Sequence, residues 1–136
     1  ESGGVTVERV SLPEASAALG VELSHPSALP AGYALASVEV VRTVDAVGAT
    51  LYLRDAEAGA SAIRLHVERA TALPPATADV QRTVEVAGSE GRWTPGRFRL
   101  EWLADGLYRS LDGPGFGLAE LLAVAASIAD EPASGR

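Results

Sequence analysis

Trp102-Leu-Ala-Asp-Gly-Leu-Tyr-Arg-Ser-Leu-Asp-Gly113, followed by the apolar-periodic run Leu118 to Ile128, decides the fold. Arg97 to Leu103 alternates with period two: Phe98, Leu100 and Trp102 are predicted to turn inward, and Arg97, Arg99 and Glu101 to face solvent. Ala104-Asp105-Gly106 reverses the chain into a second strand, Leu107 to Leu111. Gly113 to Gly117 breaks the pattern, and Leu118, Leu121, Leu122, Ala125 and Ile128 then recur at spacings of three and four. That spacing gives a helix with one apolar stripe, and the stripe covers a sheet.

Working outward, the same two periods recur upstream. Ser11-Leu-Pro-Glu14 has the residues of a helix start: a capping serine, a proline in the first turn and a glutamate at the positive end of the dipole. The helix runs over about residues 12 to 19, with Leu12, Ala15, Ala18 and Leu19 inward, and Gly20 stops it. Ser24 to Gly32 is a proline-punctuated loop with a type I turn at Pro30 to Gly32. Strands follow at Tyr33 to Thr43, where imperfect alternation leaves room for a bulge, at Thr50 to Arg54 and at Ala62 to Arg69. Ala70 to Ala78, with Pro74-Pro75, is a loop, and Val80 to Ala87 and the short Arg92-Trp93-Thr94 are further strands. The order of elements argues for an α+β domain. It consists of a single antiparallel, meander-like sheet of about six strands, with an N-terminal and a C-terminal helix packed on it. Residues 1–10 form a leader or linker that could hold a short strand, 11–130 the domain, and 131–136 a tail.

A chain of 136 residues fits one domain, large enough to bury roughly 65–70% of its unfolded surface. The net charge of −7 repels phosphate backbones and anionic lipid surfaces, which argues against nucleic acid as a partner. All the basic side chains are arginine, and lysine, asparagine, methionine and cysteine are absent. GC-rich codon usage gives this pattern, which also removes thermolabile side chains. Without cysteine there is no disulfide framework, thiolate catalysis, zinc ribbon or iron–sulfur ligation. No apolar run approaches the ~18 residues of a spanning helix, and the first residue is Glu1 with no signal-like segment. The expectation is an excised soluble piece of a longer protein, with any anchor or signal upstream.

Candidate chemistry is sparse. His66-Val67-Glu68 places His66 and Glu68 on one strand face, a spacing that suits a metal or an acid–base pair, but no further histidine or cysteine cluster converges on it. His25, between Ser24 and Pro26, points away from its neighbours on an extended backbone. No G-x-S-x-G elbow occurs, and Gly113-Pro-Gly-Phe-Gly117 lacks the lysine of a phosphate-binding loop. Asp105 and Asp112 sit in predicted turns, where aspartate makes local hydrogen bonds. The sequence therefore assigns no catalytic residue, no cofactor and no metal. Trp102, Phe98, Tyr52 and Phe116 fall at core positions. Trp93 lies in a short segment flanked by turns, where packing and binding are both open readings. With Arg92, Arg97 and Arg99 it makes up the candidate interaction surface.

Three short motifs carry a resemblance. They are Leu29-Pro-Ala-Gly-Tyr33, then Leu100-Glu-Trp102 with Gly106, Tyr108, Leu111 and Gly113, and finally Leu121-Leu122 with Ala125-Ala-Ser127-Ile128. Over about residues 11 to 130 the chain resembles the extracytoplasmic C-terminal domain of unknown function found in bacterial membrane-bound anti-sigma factors and related envelope lipoproteins. The family pattern assigns no catalytic residue. The resemblance implies a domain outside the cytoplasmic membrane, tethered through an upstream segment and engaging a protein or an envelope small-molecule ligand. The leading expectation is a non-catalytic sensing or interaction domain of a membrane-anchored regulator, with the loop Leu73 to Ala78 and the Trp93 region available for recognition. The alternative is a carrier of an apolar ligand held between sheet and helix, and a hydrolase is the third class.

Overall fold

The computed structural model describes residues 5–21, 23, 26, 29, 32–44, 46–55, 63–70, 81–86, 88–104, 106–113 and 116–128. The elements run β1 (Thr6–Val10), α1 (Leu12–Leu19), β2 (Tyr33–Arg42), β3 (Val47–Asp55), β4 (Ile63–Arg69), β5 (Arg82–Val86), β6 (Ser89–Thr94), a 3-10 turn (Pro95–Arg97), β7 (Arg99–Ala104), β8 (Leu107–Asp112) and α2 (Leu118–Ala126). Every pairing is antiparallel, in the order β1-β2-β3-β4-β8-β7-β6-β5. Two meanders, β1 to β4 and β5 to β8, thus meet along β4 and β8.

The α+β class, the antiparallel sheet and both helices stand, but the strand number is eight rather than about six. One addition comes from the leader. Thr6 to Arg9 are exposed on both sides, so no burial period marks β1 in the sequence. The short strand expected at Arg92-Trp93-Thr94 reaches back to Ser89 as β6, which pairs on both sides although its Ser-Glu-Gly-Arg stretch lacks apolar alternation. The bulge expected in β2 lies between Leu35 and Ser37.

Register builds the core. Val38, Leu51, Leu65, Leu111, Leu100 and Trp93 stand side by side across six strands, a buried stripe running through both meanders. The next row is Val40, Ala49, Val67, Arg109, Trp102 and Gly91. Gly91 makes room there, since a Cβ on it would lie 2.5 Å from the Glu101 carbonyl oxygen and 3.1 Å from the Trp102 Cβ. Helix α1 covers β2 and β3 through Ala15 and Leu19, and α2 covers β5 and β7. In α2 the buried residues are Leu121, Val124 and Ala125, while Leu118 and Leu122 are half-buried and Ile128 lies past the helix end, bridged to Pro26.

Phe98 departs from the inward position expected of it. It adopts φ 51° after the 3-10 turn, is 38% exposed, and β7 begins one residue later at Arg99. The alternation of faces over Arg97 to Leu103 holds only from Arg99 onward, because the 3-10 turn takes up Pro95 to Arg97 and Phe98 closes it in the left-handed region, and Glu101, expected to face solvent, is buried.

Candidate functional site

Because paired residues share a face, the register also defines the other side of the sheet. Three polar rows cross it. The central one is Arg9, Glu39, Thr50, His66, Ser110, Glu101, Arg92 and Thr83. On one flank lie Gly48, Glu68, Tyr108 and Leu103, and on the other Tyr52, Arg64, Asp112, Arg99 and Thr94.

These groups bind one another. His66 Nδ1 lies 3.0 Å from Thr50 Oγ1, and its Nε2 2.9 Å from Glu68 Oε1. The ring fits because residue 48 is glycine, where a Cβ would come within 2.8 Å of His66 Cε1. The Tyr52 hydroxyl donates to Glu39 Oε1 at 3.1 Å, and burial with the Glu39 contact raises its pKa. Arg99 holds Asp112 through two bonds of 2.8 and 2.9 Å, and Arg64 reaches the same carboxylate at 3.5 Å. The Asp112 hydrogen bonds raise the Arg99 pKa further and keep its charge fixed.

Beneath β6 to β8 the face is closed to water. Glu101 is 6% exposed, and its Oε2 accepts the Tyr108 hydroxyl at 2.6 Å while Arg92 Nε approaches Oε1 at 3.7 Å. Burial first, then the Glu101 hydrogen bond and charge, push the Tyr108 pKa well above the ordinary phenol value. No described buried side-chain nitrogen or oxygen lacks a partner. The accessible part of the network includes Arg64, His66, Glu68 and Arg99.

An imidazole between a hydroxyl and a carboxylate has the outline of an acid–base relay. Here it lies on a strand ladder, where the flanking backbone N–H groups of β3, β4 and β8 serve strand pairing rather than an oxyanion. Among the described residues no group of three or more His, Asp or Glu side chains is arranged to hold a metal ion.

The structure divides the predicted interaction surface. Trp93 is 6% exposed and belongs to the core stripe, so packing takes its indole. Arg92 and Arg99 point to the opposite, polar face, and Arg97 is exposed on the 3-10 turn. Trp93 and the arginines therefore do not form one patch. His66 and Glu68 do share a face, as their spacing predicts. His25, Asp105 and the loop Leu73 to Ala78 lie outside the described residues. Asp112 ends β8 instead of turning the chain, and its side chain pairs with arginine.

No family model, curated protein or solved structure matches this chain. Glu101, Tyr108 and Arg64 escaped the sequence reading because their partners come from other strands; only the alternation of β7 and β8 hinted at a shared polar face.

Between helices and sheet, Leu51, Leu53, Ile63, Leu100, Leu111 and Leu121 are all fully buried. Two hollows formed by described residues lie at the surface. One of about 490 Å³ runs along α1 beside Leu12, Ser16 and Val21, and one of about 460 Å³ lies between the end of α1 and the β2–β3 hairpin.

Proposed function

We propose that this is a non-catalytic interaction and sensing domain, carried outside the cytoplasmic membrane by an anti-sigma-type regulator or related lipoprotein, with the polar sheet face as its recognition surface. The observation that carries the reading is the mutual pairing of the face's ionisable groups. Thr50–His66–Glu68 and Arg64/Arg99–Asp112 are held in place at the accessible part of the face before any partner arrives, beside the buried Tyr108–Glu101–Arg92 network. A fixed polar platform loses little side-chain entropy on binding, which favours recognition. The extracytoplasmic placement and the upstream tether rest on the family resemblance of the Leu100-Glu-Trp102 and Leu121-Leu122 motifs.

The partner is a protein or an envelope small-molecule ligand, and the net charge of −7 argues against nucleic acid. Binding acts by population shift: the occupied platform favours one packed state and alters access to the upstream tether.

The test uses the full-length gene product in its own cells. Alkaline phosphatase fused after residue 136 should be active, as it is only outside the cytoplasm. The double variant H66A/R64A should change the output of the partner sigma factor's promoter while circular dichroism shows that the domain keeps its fold. An inactive fusion, or promoter output indifferent to the double variant, would overturn the reading. The carrier alternative predicts a copurifying acyl-chain compound in native mass spectrometry, whereas the sensing reading predicts the bare chain mass.

A further inference from the structure

The two edges of the sheet differ. Helix α2 packs on β5, whereas among the described residues β1 pairs with β2 alone, and Thr6 to Arg9 are exposed. Open edges are usually blunted by proline, lysine, a bulge or a twist. Strand β1, Thr-Val-Glu-Arg-Val, lacks proline and lysine, its charges are the adjacent Glu8 and Arg9 of opposite sign, and its five pairs from Thr6↔Arg42 to Val10↔Val38 run without a register shift. It also displays apolar side chains, with Val5 63% and Val7 54% exposed.

We infer that β1 is a self-association edge, pairing antiparallel with β1 of a second copy about a two-fold axis at Val7, so that the two sheets become one. The symmetry and the charges select this register. A two-fold axis normal to the sheet keeps each residue on its own face and places one residue opposite itself. An axis at Glu8 sets two glutamates opposite each other, and an axis at Arg9 two arginines, both destabilising. An axis at Thr6 shortens the overlap and leaves Glu8 and Arg9 beyond the start of the partner strand. With the axis at Val7, Val7 meets Val7 of the second copy, Thr6 meets Glu8, and Val5 meets Arg9, each of the last two twice. No like charges oppose, and both exposed valines are covered against the stem of an arginine or each other.

The chain has no cysteine, which makes cross-linking a clean probe of register. In V7C the two thiols of a dimer would stand about 4.5–5.5 Å apart at their Cα atoms, within reach of a disulfide. The expected results are as follows. Wild-type protein sediments as a concentration-dependent dimer, and V7C forms an intermolecular disulfide under mild oxidation. T6C and E8C cross-link when mixed more readily than T6C does alone. V7K, which places two ammonium groups at the axis, weakens the dimer by about tenfold or more, and F98S, on the far meander, leaves it unchanged. Circular dichroism of V7K confirms that the monomer folds, since Val7 is exposed. A wild-type monomer throughout the concentration series would overturn the inference, as would a dimer that V7K does not weaken or a V7C protein that stays monomeric under oxidation. Capture of β1 by an extended segment of another protein, with no self-association, would equally overturn it.

Discussion

A glutamate that is 6% exposed is held only as well as its partners hold it. Glu101 has the Tyr108 hydroxyl at 2.6 Å and the Arg92 guanidinium at 3.7 Å, so the phenol is its short bond. Tyr108→Phe removes that donor while leaving the carboxylate buried, and the expected cost is about 1–3 kcal/mol in urea denaturation. The linkage has a sign. The folded state holds the Tyr108 proton to higher pH than the unfolded chain does, so the contribution is complete below the ordinary phenol value of about 10 and is lost as pH rises above it. Stability should therefore fall above pH ~10 in the wild type and fall less steeply in Tyr108→Phe. Gly48 offers a second residue-scale test. Its Cβ would sit 2.8 Å from His66 Cε1 and 3.3 Å from the Val67 carbonyl oxygen, so Gly48→Ala must push the imidazole off Thr50 or Glu68. We expect about 1–3 kcal/mol of destabilisation and displaced His66 ring resonances in NMR spectra, with much of the loss absent when His66→Ala is already in place. Equal losses in both backgrounds would show that the crowding lies at the backbone instead.

Elements that bury one regular face are the most legible, and those that do not leave a weaker trace. Helix α1 is the clear success. Ser11 caps it, accepting from the Glu14 N–H at 3.2 Å, while Glu14 Oε1 accepts from the Ser11 N–H at 2.8 Å, and Gly20 ends it at φ 77°. Strand β4 was equally readable, since Ile63, Leu65 and Val67 are buried and Arg64, His66 and Glu68 are not. Strand β1 carries no such contrast, and in β8 the contrast is erased because Tyr108 and Ser110 are nearly as buried as Leu107 and Leu111. Phe98 misled because apolarity does not reveal that a preceding 3-10 turn sets its φ to 51°. The cap of α1 is testable. Ser11→Ala should cost about 1 kcal/mol at neutral pH, read from denaturant midpoints. The Ser11 backbone and side-chain hydrogen bonds hold the Glu14 pKa below the ordinary carboxylate value. That contribution is therefore present above the ordinary value and lost as pH falls through the lowered one. The wild type and Glu14→Ala should converge in stability toward low pH, and curves that stay parallel would show that the box does not act through the carboxylate.

At the scale of the whole molecule, the decisive contact is the seam between β4 and β8, where Arg64↔Asp112 through Arg69↔Leu107 join two meanders distant in sequence. No local pattern names that pairing: either strand could close its own meander by propensity alone, and the choice is made by the apolar stripe that becomes continuous only when Leu65 meets Leu111. The same seam builds the polar face, because it brings His66 beside Ser110 and Arg64 beside Asp112, so core and candidate site depend on one long-range event. Loop-closure entropy must be overcome before such a pairing is rewarded, which predicts folding on the scale of about milliseconds to seconds, slower than a helical bundle of this size. Neither meander buries its share of the stripe alone, so unfolding should be a single transition in which fluorescence of Trp93 and Trp102 coincides with far-ultraviolet circular dichroism. Leu65 and Leu111 are at most 1% exposed and directly opposed across the seam. Leu65→Ala and Leu111→Ala should each cost about 2–5 kcal/mol, and the double variant less than their sum, since both open the same cavity. Additive costs, or two transitions in which one meander melts while the other keeps its tryptophan signal, would mean that the meanders are stable units and that the seam merely docks them.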